Sequence, residues 1–438
     1  MIDALSKILA ENQGQNVYLR FNPEILDFTD KNAVTELFFY LQGGKEFSII
    51  LTEDNLRSVI SLLRISLFTK NMKIIVWNWK SLTSYILAKT GKFYSVDGAI
   101  IDLKIIESYS GIKHKSPKNL IEALNRLKDL ISTGIWKEIE QIYKKLHMPL
   151  MTTVIPHLET TGIIDPVAGG KVYAHYELDG QENGRLRCYQ AFTMGFVPHA
   201  MTPETRKSLK VRNPDELFML FDFKGMEVFM LAWMSKDPLL LKLCDEPDIY
   251  LALYETILGE KSIEKNNRDL VKKFFLPVIY GQSAYALSQR CGVSQTLAET
   301  IIKRIDTLFP VVSTFIEGYQ NQLKELGYAK DIFGKRRSFE ENKEYLVRNF
   351  AIQSPAAVVC LEKLINLYFA LKDKTDLAYT VHDGYVVYAT KENWKTIFKI
   401  GYDVLTAESE FCPGLKLKVT VKAGRNLNDL KSLTKKGN

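Results

Sequence analysis

Hydrophobic and polar positions along the chain follow two periods, and the period changes mark its organisation. From residue 1 to about 113, short β-branched and aromatic runs (Val17-Tyr18-Leu19-Arg20-Phe21, Phe47-Ser48-Ile49-Ile50-Leu51, Ile74-Ile75-Val76-Trp77) alternate with a helical pattern over Asp54 to Leu67. This predicts a small α/β domain over 1–113. From about Pro117 to Glu159, Leu120, Leu124, Leu127, Leu130 and Ile131 recur at helical spacing between lysines and glutamates, so 114–170 reads as a helical connector. After a Gly/Pro-punctuated passage from Gly162 to Gly184, β-like runs (Leu217 to Phe223, Ala378 to Ala389) alternate with long helical patterns (Gln295 to Leu308, Val312 to Leu326, Ala356 to Leu371). Residues 171–438 are therefore expected to form an α+β body.

Composition adds bounds. With 46% hydrophobic and 25% charged residues over 438 positions, the chain can bury a sizeable core in two or more domains, which sets disorder aside. The 58 Lys+Arg against 51 Asp+Glu leave a formal charge of +7, a mild excess that suits a polyanionic partner. Cys188, Cys244, Cys291, Cys360 and Cys412 lie far apart, without a Cys-x-x-Cys pair or a His/Cys cluster, which points to a reducing compartment and no structural zinc. The opening Met1-Ile2-Asp3-Ala4-Leu5-Ser6-Lys7 has no basic, apolar leader pattern, and no uninterrupted apolar run approaches the roughly 18 residues that span a bilayer. A soluble, cytoplasmic protein without a membrane partner is the expectation.

Candidate chemistry starts with two aspartates. The apolar run Phe218-Met219-Leu220-Phe221 ends in Asp222, followed by Phe223-Lys224-Gly225-Met226-Glu227. In Ala378 to Tyr388, His382-Asp383-Gly384 sits between two apolar runs and reads as a hairpin turn. Two carboxylates at the ends of neighbouring strands can bridge a pair of Mg²⁺ ions about 4 Å apart, which activate a 3′-hydroxyl and stabilise a pyrophosphate leaving group. Either aspartate alone is more commonly a turn cap. Between them, Arg268, Lys272, Leu276 and Tyr280 are spaced by four within Arg268 to Gly281, so on a helix each step turns about 400° and all four share one stripe. Such a column suits a triphosphate: the cations neutralise phosphate oxygens, and the apolar and aromatic residues pack against base and sugar. The order of the three segments carries more than any one of them.

In this order the segments resemble the DNA polymerase I family, in register from about Leu158 onward. Phe221-Asp222 through Glu227 resembles its motif A, Arg268 to Gly281 its motif B or O-helix, and Val381-His382-Asp383 its motif C. Gly184-Arg185-Leu186 resembles the family's Thr-Gly-Arg-Leu segment, and Gly327-Tyr328 with Phe333-Gly334-Lys335-Arg336-Arg337 its Gly-Tyr followed by Gly-Arg-Arg. Asn349-Phe350-Ala351-Ile352-Gln353 resembles the Asn and Gln that touch template and primer, and Glu159-Thr160-Thr161-Gly162-Ile163 the opening of its thumb. The resemblance implies an α+β right-hand polymerase: a palm on an antiparallel sheet, helical fingers and a reduced thumb, preceded by a small α/β ribonuclease H-like exonuclease-type domain. It implies template-directed DNA synthesis, with Asp222, Asp383 and the Phe223 backbone carbonyl holding two Mg²⁺ ions, for which Mn²⁺ substitutes. Arg268 and Lys272 would hold the triphosphate of a dNTP, with Leu276 and Tyr280 packing at the insertion site. Glu227 would crowd the sugar 2′ position and so favour deoxynucleotides. Arg185, Asn349, Gln353, His382, Arg336 and Arg337 would contact primer-template DNA.

Departures from the family pattern are equally specific. Leu276 stands where DNA-making relatives carry Phe or Tyr, and Pro277 inside the helix removes a backbone donor and should kink or loosen its last turn. Gly384 replaces an acidic residue, and Asp248-Ile249-Tyr250 stands where Asp-x-His is usual. In the first domain, Trp77-Asn78-Trp79-Lys80 and Ala99-Ile100-Ile101-Asp102 resemble a worn exonuclease section, but Val17 to Phe21 has no Asp-x-Glu and Leu82 falls where a metal-binding aspartate belongs. No proofreading is expected. Only Gly162 to Gly184 separates the thumb opening from Gly-Arg-Leu, so the thumb tip is expected to be missing and synthesis to be distributive. A processivity or replication partner protein, or the segment Lys113-His114-Lys115-Ser116-Pro117-Lys118, could supply the grip; a solvated linker is the plainer reading of that segment. Two other functions stay open at this level: a single-subunit RNA polymerase or primase-like enzyme, which Glu227 argues against, and a non-catalytic DNA-binding protein with the polymerase fold.

Overall fold

The β-branched and aromatic runs near the start of the chain pair into one mixed sheet. In the computed structural model, β1 (Asn16–Asn22), β2 (Thr35–Tyr40), β3 (Glu46–Leu51), β4 (Lys73–Val76) and β5 (Ala99–Asp102) stand in the order β3-β2-β1-β4-β5. The first three form an antiparallel meander, while β4 runs parallel to β1 and β5 parallel to β4. The parallel part is buried on both faces, so its strands read as continuous apolar runs: Val17, Tyr18, Leu19, Ile74, Ile75 and Val76 are all buried. Helices α1 (Ile2–Glu11), α2 (Glu53–Ser66), α3 (Trp79–Thr90) and α4 (Leu103–Ser108) complete this α/β body. The structure describes residues 2–11, 14–30, 33–66, 73–92, 99–111, 115–259 and 265–433; Lys113 and His114 lie outside them.

The chain forms two compact units, of which the first comprises Met1–Phe218, Lys372–Lys391 and Arg425–Asp429. Its connector is helical, as the spacing predicts: α5 (Leu120–Ser132), α6 (Ile135–Ile142) and α7 (Ile155–Thr161), the last two linked through π-helical turns at Tyr143–His147 and Leu150–Val154. Asn119 opens α5 by accepting the Glu122 N–H at 3.0 Å. The passage from Gly162 to Gly184 contains no helix; it holds β6 (Ile163–Asp165) and β7 (Gly170–Glu177), and the short β8 (Arg187–Tyr189) and β9 (Gly195–Phe196) then pair with β7. After α8 (Pro203–Ser208), β10 (Glu216–Phe223) begins in the first unit and ends in the second.

The second unit, Met219–Leu371, Glu392–Gly424 and Leu430–Asn438, is mainly helical. It contains α9 (Met226–Ser235), α10 (Pro238–Asp245), α11 (Ile249–Leu258), α12 (Lys265–Ile279), α13 (Ala284–Cys291), α14 (Gln295–Leu308) and α15 (Pro310–Leu326). A hairpin of β11 (Ala329–Lys330) and β12 (Arg336–Arg337) leads to α16 (Val347–Leu371). The segment Glu344–Leu371 is long and apolar enough to cross a membrane, but 78% of its apolar 18-residue stretch is buried in the protein, as befits a core helix. The chain then re-enters the first unit for the antiparallel hairpin β13 (Leu377–Val381) and β14 (Gly384–Thr390). There the Phe218 and Tyr388 rings lie 5.6 Å apart, and Lys391 donates its N–H to the carbonyl of Asp215 just ahead of β10. In the second unit, α17 (Trp394–Thr406) packs on β10 through Gly401, where a Cβ would come within 2.4 Å of the Phe221 ring. β15 (Val419–Gly424) and β16 (Lys431–Ser432) close the order.

Candidate active site

Alternation along β10 delivers Asp222. Phe221 and Phe223 point into the core, and Asp222 between them is half-buried. The strand end is pinned to β15: Thr420 Oγ1 donates to the Asp222 carbonyl at 3.1 Å, and the Lys224 N–H donates to the Lys418 carbonyl at 2.8 Å. Gly225 then turns the chain with φ +69°, a conformation that favours glycine, and opens α9, so Glu227 falls in the first helical turn where a carboxylate complements the helix dipole.

Helix α12 carries the predicted column. Arg268 Nε donates to Asp248 Oδ2 at 2.7 Å, and its guanidinium lies 5.1 Å from the Tyr250 ring centre. Lys272 Nζ lies 5.3 Å from the same ring. Crowding by surrounding protein, helped by the charge of Arg268, lowers the Lys272 pKa from its ordinary value, while Asp269, Asp248 and Asp222 oppose the shift. At the column's other end, the Tyr280 hydroxyl donates to Glu227 Oε2 and Gln353 Nε2 donates to Glu227 Oε1 at 3.2 Å. Two residues from separate predicted motifs thus meet at the carboxylate of a third. Pro277 does not stop the helix: Tyr280 N–H still reaches the Leu276 carbonyl at 2.8 Å, and the bonds then change to Gly281→Val278 and Gln282→Pro277.

The Arg336-Arg337 pair is presented by the β11–β12 hairpin. Asp331, buried at its mouth, accepts the N–H groups of Phe333 and Lys335, both at 2.9 Å, and the Ser354 hydroxyl at 2.5 Å. Arg336 lies 5.4 Å from the Tyr328 ring and Arg337 4.6 Å from the Phe339 ring. Phe339 in turn packs on the cluster of Ala329, Val347 and Phe350. Asn349, on α16, has a buried Oδ1 with no hydrogen-bond partner among the described residues.

Arg185, His382 and Asp383 belong to the first unit. Arg185 follows the β7 turn, its N–H on Asn183 Oδ1 at 3.3 Å. Val381 pairs with Gly384, so His382-Asp383 forms the two-residue turn expected of the hairpin, with His382 at φ +52°. That left-handed value costs a non-glycine residue about 1 kcal/mol or more, and it fixes how the turn presents both side chains. Tyr176, on β7, holds β13 by accepting the Thr380 N–H at 3.0 Å and donating to its carbonyl at 3.1 Å. In the worn section, β1 carries no carboxylate and Leu82 is buried in α3. Asp102 is spent structurally: its carboxylate accepts the N–H groups of Asn78 (3.2 Å), Trp79 (2.7 Å) and Lys104 (3.1 Å), capping two helices.

The donors fit a hard cation. Asp222 offers a carboxylate next to the Phe223 carbonyl, both oxygen ligands. Among the described residues no three His, Cys, Asp or Glu side chains gather to form a metal cage. Mg²⁺ needs none: it takes one or two carboxylates and completes its shell with water and substrate phosphates. Sequence reasoning missed the grip of Asp248 on Arg268 and the buried Asp331. An aspartate directly before the apolar start of a helix marks the Asp248 cap, but not its bond to Arg268.

The DNA polymerase family A model matches residues 109–429. DNA polymerase I of Chloroflexus aurantiacus is 25% identical over 330 residues, covering 69% of this chain and 34% of that protein. The thermostable DNA polymerase I of Thermus aquaticus is 22% identical over 302 residues, covering 64% and 36%. The chain therefore spans about a third of the length of these relatives. Among solved structures, the POL domain of Pol1 from M. smegmatis, in complex with DNA primer-template and dNTP, shares the fold with a TM-score of 0.75 at 15% identity, over 97% of this chain and 98% of that one. With the matched region covering most of its length, the chain belongs to DNA polymerase family A.

Proposed function

We propose that the chain is a template-directed DNA polymerase that adds deoxynucleotides to a primer 3′ end. What carries the reading is the convergence in the second unit: Tyr280 and Gln353 on the Glu227 carboxylate, with Arg268 and Lys272 of the same stripe gathered on the Tyr250 ring. In this reading Arg268 and Lys272 bind the triphosphate, Leu276 and Tyr280 pack against the base and sugar, and Glu227 closes the space beside C2′. Asp222, the Phe223 carbonyl and Asp383 serve as the metal donors. Bound Mg²⁺ would supply Lewis-acid activation of the 3′-hydroxyl and charge neutralisation at the leaving pyrophosphate. Arg185, His382, Asn349, Gln353, Arg336 and Arg337 hold primer and template.

Two losses belong to the same proposal. The exonuclease-type positions lack carboxylates and Asp102 is engaged as a cap, which supports synthesis without proofreading. The passage from Gly162 to Gly184 is strand and turn without a helix, which supports weak, salt-sensitive grip and distributive synthesis unless a partner protein holds the duplex. Since the named relatives are bacterial DNA polymerases I, a bacterial cytoplasm, or the cytoplasm of a host to a virus or plasmid, is the setting proposed. The test is extension of a labelled primer on a DNA template with Mg²⁺ and either deoxy- or ribonucleotides, beside Asp222→Asn and Asp383→Asn. Template-directed deoxynucleotide addition lost in both variants is expected. Intact, DNA-binding protein that incorporates nothing overturns the reading.

A further inference from the structure

Arg268 and Lys272 are held before any ligand arrives. Asp248 caps α11 with Oδ1, which accepts the N–H groups of Tyr250 (3.0 Å) and Leu251 (3.4 Å), and its Oδ2 accepts Arg268 Nε at 2.7 Å. Two residues further on, the buried Tyr250 ring is shared by both cations, Arg268 at 5.1 Å and Lys272 at 5.3 Å. Gly225 closes the ring from the other side: a Cβ there would lie 3.3 Å from the Tyr250 hydroxyl and 3.4 Å from its ring. The ring is thus wedged between the turn after Asp222 and the cationic stripe of α12.

The chemistry of that wedge matters. An aromatic quadrupole attracts a cation without taking up its N–H donors and without cancelling its charge. A carboxylate at the same place would neutralise the pair, and an aliphatic side chain would leave two long, rotamer-rich cations to be ordered at the moment of binding. Asp248 occupies only Nε of the Arg268 guanidinium, whose terminal nitrogens are the ones that pair with anionic oxygens in a fork.

We propose that Tyr250 is a positioning residue, whose ring, with Asp248 behind it, holds Arg268 and Lys272 as a preformed receptor for a triphosphate chain. That the triphosphate belongs to a nucleotide rests on the polymerase reading; the receptor itself does not. Titration calorimetry of the full chain with inorganic tripolyphosphate, without DNA, separates the two. Tyr250→Leu is expected to weaken binding roughly five- to thirtyfold, the loss of two partly exposed cation–π contacts, while Tyr250→Phe stays within about twofold of the parent. Should Tyr250→Leu melt early, Tyr250→Met, which fills the space without a ring, is read in its place. In the Arg268→Gln background the Tyr250→Leu effect should shrink, because one of the two cations it acts through is gone. In primer extension the same variant should raise the dNTP KM more than it lowers kcat. No tripolyphosphate binding by the parent, equal weakening by Phe and Leu, or additive effects with Arg268→Gln would each overturn the proposal. Ring-dependent binding without primer extension would instead sink the polymerase reading alone.

Discussion

Removing the Glu159 carboxylate should unfold the first unit far more easily than a surface charge change would. Glu159 is fully buried and accepts from Lys80 Nζ (2.7 Å), Ser84 Oγ (2.5 Å) and the Tyr176 N–H (2.8 Å), with His175 Nδ1 at 3.2 Å. Lys80 is equally buried, so Glu159→Leu strands an ammonium in the interior, which costs about 3–5 kcal/mol. Lys80→Met with Glu159→Leu removes both charges and should recover most of that, leaving about 1–3 kcal/mol for the orphaned Tyr176 N–H and Ser84 hydroxyl. The assay is urea unfolding followed by tryptophan fluorescence, to which the buried Trp79 beside Lys80 contributes. Acid gives a second readout. Lys80 and His175 hold Glu159 at about 2, below its ordinary 4.5, against the pull of burial. A depressed carboxylate contributes stability that is complete above about 4.5 and is lost as the pH falls through that value toward 2. The carboxylate's share is about 3 kcal/mol, and the pair's net worth is smaller because burial pulls Lys80 down from its own ordinary value. Parent protein should therefore weaken more steeply across that window than Glu159→Leu, which keeps the depressed carboxylates of Asp27 and Asp376. A single variant costing under about 1 kcal/mol, or a double variant no better than the single, refutes the reasoning.

Glu227→Ala should raise ribonucleotide incorporation relative to deoxynucleotide by about tenfold or more, read by primer extension with each nucleotide set; an unchanged ratio removes Glu227 from sugar selection. Asp102→Ala frees the N–H groups of Asn78, Trp79 and Lys104, so it should lower stability by about 2–3 kcal/mol in the same urea titration. Primer extension in the presence of excess trap DNA should yield products a few nucleotides long, shortening further with salt; long products at moderate salt would show that the grip is not thumb-dependent.

What was legible in the sequence is what depends on neighbours along the chain. The period-two runs at Val17 to Phe21 and Phe47 to Leu51 became β1 and β3, and Gln295 to Leu308 became α14 at the bounds the spacing predicts. His382-Asp383 turns between β13 and β14 because two apolar runs separated by two residues can pair in few other registers. The partners of site residues were not legible, because they come from elsewhere. Glu227 meets Gln353 across 126 positions and Arg268 meets Asp248 across 20, with nothing local to announce either. The capping role of Asp102 was not legible either, because its helix, Leu103–Ser108, is too short for periodicity to reveal the cap.

These long-range ties also explain how α12 tolerates its departures. Pro277 deletes one internal hydrogen bond and Leu276 removes an aromatic, and both losses fall near the C-terminal end of the helix, where the column has to hold its register. The register there does not depend on helical bonds alone. Tyr280 is fastened to Glu227, which Gln353 also holds, while Arg268 is fastened to Asp248, so the stripe is tied near both ends to elements that the substitutions leave intact. A helix fixed at two points keeps the intervening side chains in phase even when one bond between them is missing. The helix therefore carries its proline between Leu276 and Tyr280 with both cations still on the Tyr250 ring.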